Sequence, residues 1–235
     1  MVIKDNFSIK YGHKKIVGDV ISLNGGQNVL FLHGGGTSSK KDFDTLREFL
    51  AEKNINSYSF DFIGHGDSEG NINISSLQKR TDQAASVIEL KKLSSKPLSV
   101  IASSMGGYAA IKLTELFDIQ NLILIAPAVY TPLAYDVDFG PEFSKIIRKD
   151  YSWRDSDAWK ILKKYKGNLL VFSAEHDQVI PGEVIDNIYN SSEIAKSKEL
   201  IVVKNANHSL IKWLNSQPVS LRLVSDKIIN LVKKL

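Results

Sequence analysis

Strict alternation of apolar and polar positions marks the start of the chain and then stops. Phe7-Ser8-Ile9-Lys10-Tyr11 and Lys15-Ile16-Val17-Gly18-Asp19-Val20-Ile21 alternate, with Gly12-His13 between them. That pattern predicts an antiparallel hairpin at a sheet edge. Asn24-Gly25-Gly26 predicts a turn. From position 29 the pattern changes. Val29-Leu30-Phe31-Leu32 is continuously apolar, as a strand buried on both faces of a parallel sheet must be. Further strand-like runs occupy 57–60, 98–101, 122–125, 169–172 and 200–203, and helical periodicity fills 43–53, 77–93, 108–117, 183–189 and 218–235. Repeated strand–helix alternation predicts an α/β fold, a mostly parallel central sheet with helices on both faces. One domain is expected over residues 1–235.

One interval breaks the rhythm. About 40 residues separate the strand ending at Ile125 from the next, far more than an ordinary connection. Pro127, Pro132, Gly140 and Pro141 punctuate its first half, and 142–166 reads as helical. We read 127–167 as an insertion over the strand ends, where ligand sites of such sheets lie.

The sharpest local signal sits between the run at 98–101 and the helix that follows. Ala102-Ser103-Ser104-Met105-Gly106-Gly107 is strand, tight turn and helix with a serine at the apex, a nucleophile elbow. Strand and helix nearly collide there, so both flanking positions must be small. That selects Ser104, between Ala102 and Gly106, over Ser103, between Ile101 and Met105. The turn also aims the Met105 N–H at the same point.

Other polar residues follow the remaining strands. His33-Gly34-Gly35-Gly36 comes after Leu32, and Asp61-Phe62-Ile63-Gly64-His65-Gly66-Asp67-Ser68 after Phe60. His176-Asp177-Gln178-Val179-Ile180-Pro181 lies beyond Phe172, and Asn207-His208 beyond Val203. In this combination the chain resembles the α/β-hydrolase superfamily over almost its whole length. Within it the chain looks most like compact bacterial esterases and acyl hydrolases of the feruloyl-esterase and monoacylglycerol-lipase type.

That resemblance implies a catalytic triad of Ser104, Asp177 and His208, in the superfamily's chain order. Ser104 would be the nucleophile, His208 the base that takes and returns its proton, and Asp177 the acid that fixes the imidazole tautomer. The oxyanion hole would use the N–H of Met105 and, by the resemblance, that of Gly35. His33 would brace the oxyanion loop. His65 orders its Gly-His-Gly turn or lines the site, while His13 and His176 are structural. Asp177 is preferred over Asp155, Asp157 and Asp186 because it alone follows a buried-looking strand at the usual place. Asp61 and Asp67 shape their turn.

Composition narrows the function further. With Lys+Arg 30 against Asp+Glu 26 the net charge is +4, carried in scattered lysine pairs read as solvated surface, and no nucleic-acid-binding motif accompanies them. Zero cysteine excludes disulfides and thiol nucleophiles. No metal site is expected, since no His-x-x-x-His or Glu-x-x-His spacing occurs, and His33-Gly34-Gly35-Gly36 lacks the Gly-Lys-Ser/Thr of a phosphate loop. No cofactor is expected. The first residues carry no long apolar core and no run approaches the roughly 18–20 residues of a membrane span; a cytoplasmic monomer or homodimer is expected. Tyr130, Tyr135, Trp153 and Trp159 of the insertion are candidates to line an apolar pocket. The expected activity is serine hydrolysis of a small or medium ester, short-chain acyl or hydroxycinnamoyl. Thioesterase, C–C bond hydrolase and serine aminopeptidase activities remain open on the same parts, as does, from another class, a non-catalytic sensor.

Overall fold

The computed structural model describes residues 3–22 and 27–234; the turn expected at Asn24-Gly25-Gly26 lies outside them. Among the described residues eight strands form one sheet: β1 (Ile3–Tyr11), β2 (Lys14–Ser22), β3 (Asn28–Leu32), β4 (Asn56–Phe60), β5 (Leu98–Ser103), β6 (Ile119–Ile125), β7 (Asn168–His176) and β8 (Ser197–Asn207). Their order is β1-β2-β4-β3-β5-β6-β7-β8. β1 and β2 pair antiparallel, as the alternation predicts, and β2 joins β4 antiparallel. Every pairing from β4 to β8 is parallel.

Among the described residues eight α-helices cover the sheet: α1 (Asp44–Glu52), α2 (Leu77–Leu90), α3 (Met105–Leu113), α4 (Pro141–Ile147), α5 (Ala158–Leu162), α6 (Gly182–Ser191), α7 (Leu210–Asn215) and α8 (Pro218–Lys233). The period-2 geometry of the strands divides the core into two layers. Leu30, Leu32, Val100, Ala102, Leu122, Leu124, Leu169 and Val171 face α2, α3, α5 and α6. Val29, Phe31, Ile101, Ile123, Ile125, Leu170 and Phe172 face α1, α7 and α8. Both faces are covered, which is why these strands read as unbroken apolar runs.

Three features differ from the periodicity reading. The stretch 142–166, expected to be helical, is helical only in α4 and α5. Tyr151 between them takes φ +57°, a left-handed conformation that no helix interior accommodates. α7 begins two residues after His208 and is not predicted by the pattern, because six residues hold too few turns to show a period. The positive charges are not all solvated. Lys40, Arg47 and Arg80 are buried. Arg47 on α1 pairs with Asp19 of β2 at 2.5 Å and donates to Ser57 Oγ and O. Lys40 donates to Asp61 at 3.0 Å and also pairs with Asp67. A charge leaves water only when partners replace its hydration, and those partners come from distant parts of the chain.

Among the described residues no helix is long and apolar enough to cross a membrane.

Candidate active site

β5 ends at Ser103 and α3 begins at Met105, so the whole reversal of direction falls on Ser104. Its φ of 49° and ψ of −120° place it outside the regions an ordinary residue prefers. The strain is held by hydrogen bonds on both sides. Ser104 N–H donates to Ile125 O at 3.1 Å, and Ser104 O accepts from Gly107 N at 2.8 Å and Ala128 N at 3.0 Å. The need for a small residue at 106 has a direct cause. A Cβ there would stand 2.5 Å from Leu32 O and 2.7 Å from His33 O, backbone atoms of the neighbouring loop. Met105 opens α3, so its N–H is one of the free donors at a helix N-terminus.

Ser104 Oγ lies 3.0 Å from His208 Nε2, and His208 Nδ1 lies 2.9 Å from Asp177 Oδ2. A carboxylate only accepts, so the His208 proton sits on Nδ1 and Nε2 is free to accept from the serine hydroxyl. Asp177 follows the last residue of β7 and His208 the last residue of β8. Asp177 Oδ1 accepts two further bonds, from Val179 N and Ile180 N, both at 2.9 Å. Burial opposes its charge, but the His208 bond and then these N–H groups outweigh it and hold the carboxyl below its ordinary value. Three residues more than 30 positions apart in sequence are thus joined in one hydrogen-bonded line.

The rival acids have other partners. Asp155 accepts from Thr131 at 3.0 Å. Asp157 accepts from Tyr108 at 2.6 Å and Lys112 at 3.0 Å, tying α3 to the β6–β7 connection. Asp186 lies on the exposed side of α6. Asp61, fully buried, accepts from the Lys40 and Asp67 backbone N–H groups at 2.7 and 2.9 Å and so closes its own turn. His13 and His176 are exposed.

His33 and His65 are buried side by side, ring centres 4.9 Å apart. His33 Nε2 accepts from Phe62 N at 3.1 Å, which leaves its proton on Nδ1, 2.8 Å from Gly34 O. His65 Nε2 accepts from Arg80 at 2.9 Å. Burial first, and the Arg80 charge second, push both imidazoles down, His33 well below its usual range and His65 to about 4. Both rings are therefore neutral when folded at neutral pH. An unfolded chain binds their protons near 6.5, so the folded state loses stability as pH falls from about 6.5 to about 4. From His65 alone the expected loss is on the order of 2–3 kcal/mol. Urea midpoints measured across that window check this: His65→Gln is expected to flatten the slope, and a wild-type midpoint independent of pH would contradict a neutral His65.

Ser104 and His208 line a cavity of about 330 Å³ together with Gly34, Gly35, Met105, Tyr130, Phe43 and Ile211 and the polar residues Thr37, Ser38, Asp42, Ser209 and Lys212. Of the four aromatic candidates, only Tyr130 lines it. Tyr130 is braced edge-on by Tyr108, and burial pushes its hydroxyl up to about 12. Tyr135 packs against Tyr108 from the side, Trp159 donates to Arg154 O at 3.1 Å, and Trp153 meets Tyr151 edge-on. The cavity's polar lining is not marked in the sequence pattern. Its Ser209 and Lys212 come from the start of the unrecognised α7, for which Leu210, Ile211 and Leu214 on one face were the available signal. Among the described residues no three His, Asp or Glu side chains are grouped to hold a metal ion.

Residues 26–154, more than half of the chain, match a hydrolase family model described as serine aminopeptidase, S33. No curated protein matches the sequence. Several solved structures share the architecture end to end. One is the esterase Pf2001 of Pyrococcus furiosus, at 22% identity and TM-score 0.73, covering 99% of this chain and 93% of that one. Another is Est1E of Butyrivibrio proteoclasticus, solved with ferulic acid, at 19% identity and TM-score 0.73, covering 97% and 98%. A third is a CIB-like hydrolase from Thermoplasma acidophilum, at 16% identity and TM-score 0.73, covering 98% and 100%. At such identities the likeness is one of fold.

Proposed function

The chain belongs to the serine aminopeptidase S33 family of hydrolases and has the α/β-hydrolase fold, and from that premise we propose that it is a serine esterase acting on small to medium carboxylic esters. The observation that carries this reading is the continuous line Ser104–His208–Asp177, with contacts of 3.0 and 2.9 Å, at the edge of a cavity.

In this reading Ser104 Oγ attacks the ester carbonyl while His208 Nε2 takes its proton. Asp177 holds the imidazolium that forms. The carbonyl oxygen becomes an oxyanion, held by the N–H groups of Met105 and Gly35. Collapse breaks the C–O bond, and His208 returns the proton to the departing alkoxide. Water then repeats the sequence on the acyl-enzyme, regenerating Ser104 and releasing the acid. The insertion at 127–167 caps the site through Tyr130.

Cavity size and lining guide the substrate. A volume of about 330 Å³ sits at the low end for small-molecule sites. Tyr130, Met105, Phe43 and Ile211 offer apolar surface for a short acyl chain. Thr37, Ser38 and Lys212 offer polar groups for the alcohol. The family description raises aminopeptidase activity as a second reading. That activity needs a free carboxylate for the substrate's α-ammonium group. Among the described residues the one carboxylate lining the cavity, Asp42, already accepts from Ser39 N at 3.2 Å and faces Lys212 at 3.9 Å, which favours the ester.

A panel of p-nitrophenyl esters of increasing acyl length, run beside amino-acid p-nitroanilides, tests the choice. Turnover of esters with an optimum at short chains is expected. Cleavage confined to the anilides would replace this reading with the aminopeptidase.

A further inference from the structure

We propose that Arg80 is a positioning residue of the oxyanion hole, acting with His33 through the carbonyl of Gly34. The inference rests on the serine-hydrolase reading of the site.

Arg80 lies in the first turn of α2 and is completely buried. Its guanidinium stands 4.5 Å over the Phe62 ring and 5.4 Å over the Phe139 ring. Nη1 donates to Gly34 O at 3.0 Å and Nη2 to His65 Nε2 at 2.9 Å, while Nε has no partner. Among the described residues no carboxylate stands within ion-pair distance of it, whereas Arg47, equally buried, has Asp19 at 2.5 Å. Burial lowers the guanidinium only to about 10, so it stays charged at neutral pH. A buried charge without a counter-ion is expensive. Arg80 is not a structural ion pair, and a neutral side chain of similar length would fill the space between the two rings at lower cost.

The charge is directed at one peptide unit. Gly34 O also accepts from His33 Nδ1–H at 2.8 Å, so two donors from different elements converge on it. The Gly34 carbonyl and the Gly35 N–H belong to the same planar unit and point in opposite directions. Fixing the oxygen therefore fixes the N–H. Drawing electron density onto that oxygen also makes the N–H a stronger donor. The Gly35 N–H is one of the two donors assigned to the oxyanion. Arg80 thus holds the direction of that donor and strengthens it. His65 and the two aromatic rings keep the guanidinium in place.

The test compares wild type with Arg80→Met, which keeps length and removes charge and donors, and Arg80→Lys, which keeps the charge. Three quantities are read: kcat and KM for p-nitrophenyl acetate, the inhibition constant of a short alkyl trifluoromethyl ketone, and that of its alcohol. The ketone forms an oxyanion on the serine; the alcohol does not. Arg80→Met is expected to lower kcat about 10–100-fold at nearly constant KM. Ketone affinity should fall by a similar factor and alcohol affinity stay unchanged, and Arg80→Lys should recover most of the loss. If the methionine variant does not fold, Arg80→Gln carries the same comparison. Folded variants with wild-type kcat and ketone affinity would overturn the proposal, as would equal losses of ketone and alcohol affinity, which mark general disorder of the cavity. A wild type that binds no ketone would instead overturn the serine-hydrolase reading, and this inference with it.

Discussion

Ser104→Ala is expected to abolish labelling by a fluorophosphonate and to lower kcat for ester hydrolysis by about 10⁶-fold, the loss typical of removing a triad nucleophile. The change deletes one oxygen. It leaves the backbone bonds that hold the turn, to Ile125 O, from Gly107 N and from Ala128 N, so the thermal midpoint should move by only a few degrees. Alanine inherits the φ of 49° at about the cost serine already bears. Ser103→Ala is the matching control. Ser103 also borders the cavity, but its hydroxyl has no histidine partner, and labelling should persist. Labelling that survives Ser104→Ala, or disappears with Ser103→Ala alone, would refute the assignment. A well-folded wild type inert to the probe would point to a non-catalytic member of the fold.

Asp177→Asn carries the second-largest expected effect, a fall in kcat of about 10⁴-fold with little change in fold. The direction follows from which oxygen is held. Oδ1 of Asp177 accepts from Val179 N and Ile180 N, so the asparagine carbonyl takes that place and its NH₂ turns toward His208. An NH₂ donates, so His208 Nδ1 must become an acceptor and the ring proton moves to Nε2. The face of the ring toward Ser104 then carries a hydrogen and cannot accept the hydroxyl proton. Rotamer and burial are preserved; the tautomer is not. Asp155→Asn, whose partner is Thr131, should keep kcat within a few-fold. A loss below tenfold for Asp177→Asn, or a larger one for Asp155→Asn, would move the orienting role to another carboxylate.

Much of the site could be read before folding because its parts are local. An elbow is a contiguous stretch: small residues at 102 and 106 around Ser104 are required by a collision within a few residues of chain, and the Leu32 and His33 carbonyls near Gly106 show that collision. The unbroken apolar runs announce strands covered on both faces. Asp177 and His208 were readable because each follows a strand end, and ends of parallel strands share one rim. Arg80 and Lys40 were not readable. A buried cation looks like a surface one in sequence, since its surroundings come from residues far along the chain. The 127–167 segment was legible as an interruption but not in its internal turns, where Tyr151 adopts a conformation that propensity disfavours.

The sequence by itself determined the order of the strands and of the longer helices, the antiparallel start, the serine at the turn and the small residues beside it. These follow from periodicity and steric contact over short spans, which a linear pattern records. Tertiary structure alone decided which aromatic of the insertion reaches the cavity, that Thr37, Ser38 and Lys212 share its lining, and that a guanidinium without a counter-ion grips the Gly34 carbonyl. Those depend on contacts between elements remote in sequence, whose distances and desolvation are fixed only when the sheet brings its strand ends together.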